Sequence, residues 1–292
     1  MAKVVVMTDS NSGITQKEGK DLGIYVVPMP FTIDGDEYLE DITLTQQQFY
    51  DKLTSDADVS TSQPAIGFVT SIWDELLEQN DQIVYIPMSS GLSKSCESAL
   101  AAAKADYEGK VYVVDNQRIS VTQKQSVYDA LSLANKGLDA KQIHDILMET
   151  KMNSDIYIMV DTLKYLKKGG RITPAAAAVG SLLKIKPILQ IKGFKLDKFR
   201  MMNRTVSNAK RIMIDACRET INGPLKEIDG RVDNIHFAVA YTGTDDTEAK
   251  NLVNMIKEEF NVTEVICDPL SLSVSCHIGT GALAMAVTKK LD

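Results

Sequence analysis

Apolar residues along this chain fall into short runs of four to seven, separated by polar loops and by longer stretches with helical spacing. "KVVVM" (Lys3 to Met7), "QIVYIPM" and "KVYVVD" read as short buried strands. "GIYVVPMPF" reads as one more strand, held near a sheet edge by Pro28 and Pro30. Thr15 with Glu18 three positions on has the form of a capping box, which predicts a helix start. "SSGLSKS" leads into the helical pattern of "CESALAAAKADYEG". Strand, polar loop, helix, repeated, predicts a parallel α/β sheet. "DIYIMVD" (Asp155 to Asp161) opens a second series. It runs through "TLKYLKKGGRI", a small-residue helix in "PAAAAVGSLL", a strand in "KPILQI", a turn at Gly193 and a helix from Thr205. "IHFAVAYTG" then reads as a strand, "DTEAKNLVNMIKEEF" as a helix and "VTEVIC" as a strand. Near the end, His277 stands in a glycine turn with Gly279 and Gly281, and a helix-like run follows. A boundary near Asn153 divides the 292 residues into 1–153 and 154–292, each large enough for its own core.

Composition narrows the classes. No apolar run approaches a bilayer span, and the N-terminal run is too short for a secretory signal. The four cysteines are scattered without metal or disulfide spacing, so the reading is a reduced, cytoplasmic protein. The net charge of −7 conceals an asymmetry: Leu163 to Arg211 holds thirteen Lys and Arg against one acid, Asp197. That stretch is +12, and the remainder is −19. It reads either as a solvated face or as a docking surface for something anionic, whether phosphate, an acidic protein or a membrane surface. Nucleic acid is not expected, because the rest of the chain repels it. The carboxylates of "DGDEYLED" lack the twelve-residue calcium pattern and read as a solvated turn.

In an open α/β sheet, ligands bind beyond the carboxyl ends of the strands. "TDSNSG" and "SSGLSKS" belong on that edge. Free backbone N–H groups where "SSGLSKS" enters its helix favour an anion, and Ser93 adds a hydroxyl; ordinary N-capping by serine accounts for the same residues. "STSQPA" brings Thr61 and Ser62 onto a loop stiffened by Pro64, or simply starts a helix. Arg171, after the "KKGG" helix end, and Arg204, before the next helix, suit phosphate or carboxylate; taken separately, a surface ion pair is the commoner explanation of each. Walker A, G-x-S-x-G, H-E-x-x-H and zinc spacings are absent. Two rival functions stay open: a small esterase or acyltransferase pairing Ser93 with His277, and a phosphate- or nucleotide-binding module.

The order of these signals resembles the DegV family of fatty-acid-binding proteins, which includes the carriers that work with bacterial fatty acid kinase. The resemblance rests on "TDSNSGI" from Thr8, "VVPMPFTIDG" from Val26, "STSQPA" from Ser60, "PMSSGLSKS" from Pro87, "VVDNQRIS" from Val113, "LKYLKKGGRI" from Leu163, "KIKPIL" from Lys184, "NRTVSNA" from Asn203 and "HIGTGA" from His277. It implies a two-domain DegV-like α/β fold, an N-terminal parallel Rossmann-like sheet followed by a C-terminal α/β domain. It implies a long-chain fatty acid in an apolar tunnel, its carboxylate held by Thr61, Ser93 and His277, with Ser62 beside them. It also implies a non-enzymatic carrier with no cofactor, metal or catalytic residue of its own, a separate fatty acid kinase as partner, and transient membrane contact. Arg204 and Arg171 are expected to meet the phosphoryl group or that partner. The chain departs from the family pattern at Lys94, Ser95, Asn116, Thr122, Gln123 and Thr280, and two residues are added between Gly193 and Arg204. The head-group positions stay in place.

Overall fold

The computed structural model describes residues 2–54, 57–178, 185–193, 195–200 and 204–291. They form two compact units, one of residues 1–45 and 58–152, the other of residues 46–57 and 153–292.

The first unit starts with β1 (Val4–Asp9), α1 (Gln16–Leu22) and β2 (Tyr25–Val27). Thr15 caps α1 as its spacing predicts, its hydroxyl accepting from the Glu18 amide at 3.1 Å. The run "GIYVVPMPF" is two strands rather than one. β2 pairs parallel with β1, whereas β3 (Pro30–Ile33) belongs to another sheet with β4 (Asp36–Leu39). Pro28 and Pro30 lack the N–H that a continuous ladder needs, and the chain changes sheets between them. The acidic loop is correspondingly a hairpin, with its turn at Asp34 and Gly35 and strand structure on both sides. After α2 (Gln46–Thr54), which clusters with the second unit, the chain returns as β5 (Val59–Thr61), antiparallel to β3. Then come α3 (Ile66–Leu77), β6 (Gln82–Ile86), α4 (Ser95–Asp106), β7 (Val111–Val113), α5 (Ser120–Asn135) and α6 (Ala140–Glu149). The main sheet is all parallel in the order β2-β1-β6-β7. One of its faces packs under α3 and α4 through Trp73, Tyr85, Cys96 and the valines of β7. On α5 the buried residues include Thr122, Gln123, Lys124, Gln125, Ser126 and Asp129. A helix that is polar on its inward side carries no apolar stripe, so periodicity does not reveal it.

The second unit continues with β8 (Ser154–Met159), α7 (Lys164–Gly169), α8 (Pro174–Ala177), β9 (Ile188–Ile191), β10 (Leu196–Arg200) and α9 (Val206–Asn222). It closes with β11 (Ile235–Tyr241), α10 (Thr247–Phe260), β12 (Ile266–Pro269), α11 (Leu272–Ile278) and β13 (Leu283–Lys289). Its sheet order is β10-β9-β8-β13-β11-β12, with β11 and β12 the parallel pair. Helices α9 and α10 cover an apolar face built from Tyr157, Met213, Phe237, Leu252 and Met285. The run after Gly281 is a central strand, not a helix: β13 hydrogen-bonds to β8 on one side and β11 on the other. It is buried from Leu283 to Thr288, so its residues run apolar without a break from Leu283 to Val287 and lose the alternation that marks a half-exposed strand. The small-residue segment is helical over Pro174–Ala177, and its continuation from 179 to 184 lies outside the described residues.

Candidate functional site

Thr61, Ser62 and Ser93 stand in the first unit; Arg171, Arg204 and His277 stand in the second. In the first unit the chemistry gathers at the carboxyl edge of the parallel sheet. β1 ends at Asp9, which is fully buried and accepts from the amides of Asn11 (3.1 Å) and Met88 (2.9 Å) and from Gln123 Nε2 (3.0 Å). Burial raises its pKa despite those donors. The Met88 contact ties the loop after β1 to the loop after β6.

That second loop, from Met88 to Lys94, presents Ser93. The amides from Ser89 to Ser93 are taken up by acceptors within the protein. Ser89 N–H donates to Arg118 O (2.9 Å), and Ser90 N–H to Asp115 Oδ1 (3.1 Å). Gly91 N–H donates to Ser89 Oγ, while the Leu92 and Ser93 amides donate to Ser89 O. A short loop whose amides from Met88 to Ser93 are all bonded within the protein is rigid, and the side chain it carries has a fixed direction. Ser93 Oγ accepts from the Ser95 amide (3.2 Å) and the Ser95 hydroxyl (3.0 Å). Ser93 is thereby tied to the first residue of α4, although the N-cap position itself is Lys94, which makes no side-chain cap. The Ser93 O–H proton has no acceptor among the described residues, so the same hydroxyl is still able to donate.

Thr61 is the last residue of β5, paired in register with Phe31, and is half-buried. Ser62 is exposed, its amide bonded to Pro30 O at 3.3 Å. Pro64 does not open the next helix: α3 starts two residues later, with Ala65 at its N-cap. Gln63 Oε1 accepts from Ser98 Oγ on α4 at 3.4 Å. The "STSQPA" loop and the helix that follows Ser93 are thus neighbours within one unit.

In the second unit His277 occupies the last turn of α11, not a free turn. Ser271 caps this helix, and its C-terminal neighbour Gly279 has a positive φ of 79°. α11 packs on α7 through glycines. A Cβ on Gly169 would lie 2.3 Å from His277 Nδ1, one on Gly279 2.7 Å from the Tyr165 ring, and one on Gly281 2.4 Å from Asp161 Oδ2. Arg171 Nη1 donates to Gly169 O at 2.5 Å, which brings its guanidinium beside the imidazole. Burial first, and Arg171 second, push the His277 pKa down to about 4, so the ring is neutral at physiological pH. Arg204 is exposed, directly before the α9 N-cap Thr205, and pairs with no carboxylate among the described residues.

A cavity of about 390 Å³ opens between β10 and α9, with Phe199, Ile212 and Ala216 on its apolar side and Arg200, Asp215 and Glu219 on its polar side. It contains none of the residues singled out in the sequence. Among the described residues no helix is long and apolar enough to cross a membrane.

The profile of the DegV family, described as uncharacterised proteins, matches residues 3–290. This chain belongs to the DegV family. A curated DegV domain-containing protein of Staphylococcus aureus is 30% identical over 97% of this chain and 96% of its own. Two solved DegV structures align along nearly their whole length. One is a fatty-acid-binding DegV protein of Thermus thermophilus, with TM-score 0.87, 26% identity, and coverage of 98% of this chain and 99% of that one. The other is DegV of Bacillus subtilis, a fatty acid binding protein, with TM-score 0.86, 27% identity, and coverage of 99% and 100%. Around these DegV loops, Tyr165 and Gly169 carry no functional signal in the sequence, and Gln123 shows there only as a departure from the family pattern. Gly169 lies in a glycine pair explained by helix capping, and Gln123 sits on a helix without an apolar signature.

Proposed function

We propose that this protein binds a long-chain fatty acid and acts as a carrier, not as an enzyme. The observation that carries this reading is the whole-chain likeness to two fatty-acid-binding DegV structures at TM-scores of 0.87 and 0.86. The acyl tail lies in an apolar tunnel and the carboxylate meets Thr61, Ser93 and His277, with Ser62 at the rim. The chemistry supports this. Removing fourteen methylenes from water yields roughly 11 kcal/mol gross at about 0.8 kcal/mol each, of which association and desolvation cancel a large part. A buried carboxylate must keep hydrogen-bond donors. Two hydroxyls and one imidazole N–H supply three. A neutral His277 is suited to donating a hydrogen bond, and it places no second cation beside Arg171.

The carrier presents the carboxylate to a separate fatty acid kinase, which forms the acyl phosphate. Arg204, alone with Arg171 among the six site residues in carrying a fixed charge, contacts the phosphoryl group or the kinase. The +12 stretch provides an acidic partner or an anionic membrane surface with a complementary face. No cofactor is required, and the setting is the cytoplasm.

Native mass spectrometry of freshly purified protein, followed by organic extraction, tests the reading. Stoichiometric long-chain acid is the expected result. A protein that arrives empty and takes up neither oleate nor palmitate refutes it. ATP or phosphate affinity without lipid would support a nucleotide module, and ester turnover abolished by Ser93→Ala would support a hydrolase.

A further inference from the structure

Two adjacent glycines end α7, and they need different explanations. Gly170 has φ +67° and forms the left-handed C-cap, a position where glycine is the usual residue. Gly169 has no such need: its backbone is helical, and alanine is the better helix former there by about 1 kcal/mol. What excludes a side chain at Gly169 is the His277 ring, whose Nδ1 and Cε1 lie 2.3 and 3.0 Å from where a Cβ would stand. The carbonyl of the same glycine accepts from Arg171 Nη1. One residue thus touches the imidazole with its Cα and anchors the guanidinium with its oxygen.

We propose that Gly169 and Arg171 are positioning residues for His277: the glycine provides the seat that fixes where the ring lies, and the arginine, folded back on the glycine carbonyl, fixes the charge beside it. Two further contacts brace the seat from the other side, Gly279 on Tyr165 and Gly281 on Asp161. The titratable and charged groups on the elements packed against α11 are Lys164, Tyr165, Lys167 and Lys168 of α7, then Asp161 and Arg171 flanking it, and Tyr50, Asp51 and Lys52 of α2. On α11 itself the other such group is the buried Cys276. Of these, Arg171 carries a charge that acts against protonation of His277. A cation held there disfavours the imidazolium, and removing it must let the ring take up a proton at higher pH.

The test uses the lipid-extracted full chain labelled with carbon-13 at histidine Cε1, with the His277 signal assigned through His144→Gln and His236→Gln. In the wild type this signal stays on its neutral plateau from pH 8 down to 5.5. Arg171→Gln, which keeps a donor for the glycine carbonyl and removes the charge, raises the midpoint by about 1 pH unit, and Arg171→Lys brings it back toward the wild type. Gly169→Ala shifts the signal at pH 8, where protonation plays no part, and weakens oleate binding about tenfold or more. An unmoved midpoint in Arg171→Gln overturns the role of the arginine. An unmoved signal in Gly169→Ala overturns that of the glycine. If Gly169→Ala does not fold, the Arg171 pair of variants decides. The affinity arm rests on the fatty-acid reading, whereas the spectra do not: a wild type that ignores oleate yet shows these shifts refutes the carrier and leaves the seat intact.

Discussion

Replacing Gln123 by leucine would remove the hub beneath the first unit's ligand edge. Its Nε2 faces Thr8 Oγ1 at 3.1 Å, Asp9 Oδ1 at 3.0 Å and Ile86 O at 3.1 Å, and the residue is fully buried. An amide nitrogen has two protons, so these three acceptors share two bonds' worth of donation. A bond to a carboxylate contributes about 1.5–3 kcal/mol and one to a neutral acceptor about 1 kcal/mol. The gross loss is thus about 3 kcal/mol. Part of it is recovered, because Gln123 Oε1 is itself buried without a partner and leucine removes that burden, about 1 kcal/mol. The net loss is about 2 kcal/mol at neutral pH. It also depends on pH. The folded-state pKa of Asp9 is already raised, so its contribution to stability falls as pH climbs from the unfolded value of 3.8 through the folded one. Losing a donor raises that pKa further and widens the window. The deficit must therefore grow as pH rises from 3.8 through the folded-state pKa. Trp73, the chain's single tryptophan, is fully buried in the first unit's core, so its fluorescence during urea unfolding follows this unit. A deficit below about 0.5 kcal/mol at pH 7, or one that does not grow as pH rises above 3.8, refutes the reasoning.

Other outcomes follow from single contacts. Thr61→Val and Ser93→Ala each weaken oleate binding about ten- to a hundredfold in equilibrium dialysis, the effect of removing one donor from a carboxylate; full affinity in the double variant would show that the head group lies elsewhere. Gly281→Ala forces a side chain at φ +74° and toward Asp161, which Lys186 already holds at 2.5 Å, and destabilises the second unit by about 2 kcal/mol in urea melts followed by circular dichroism. His277 has its pKa lowered from 6.5 to about 4, so between those values the unfolded chain binds more protons and stability drops as pH falls. His277→Gln removes up to about 3 kcal/mol of that acid sensitivity, seen as a flatter dependence of the urea midpoint from pH 6.5 to 4.5.

How much of this was legible in the residues depends on which signal each element leaves. The strands of the parallel sheet and the Thr15 cap announce themselves, because burial on both faces gives unbroken apolar runs and capping needs a hydroxyl at a set offset. β13 uses the same physics with the opposite result: "LAMAVTK" is rich in alanine and methionine, which also suit a helix, and only pairing with β8 and β11 decides it. α5 left no signal at all, since its inward face is polar. There the family departures become informative. Asn116 Nδ2 donates to Ser126 Oγ, Ser126 Oγ donates to Thr122 O, and Thr122 Oγ1 bonds back to Ile119 O, with Gln123 next in line on Asp9. Asn116 and Thr122, which look like unrelated substitutions along the chain, are joined through Ser126 in one buried network. The head-group candidates divide in the same way. Ser93 and Thr61 stood out only as hydroxyls in loops at strand ends, which helix starts also explain, and the family resemblance is what singles them out. Gly169 did not: a glycine that makes room for a ring 108 positions later in the chain carries no mark of its partner, and sequence spacing cannot distinguish it from the capping glycine beside it. Long-range packing of this kind is where a sequence stops specifying its own explanation, and it is also where a single alanine has the most to say.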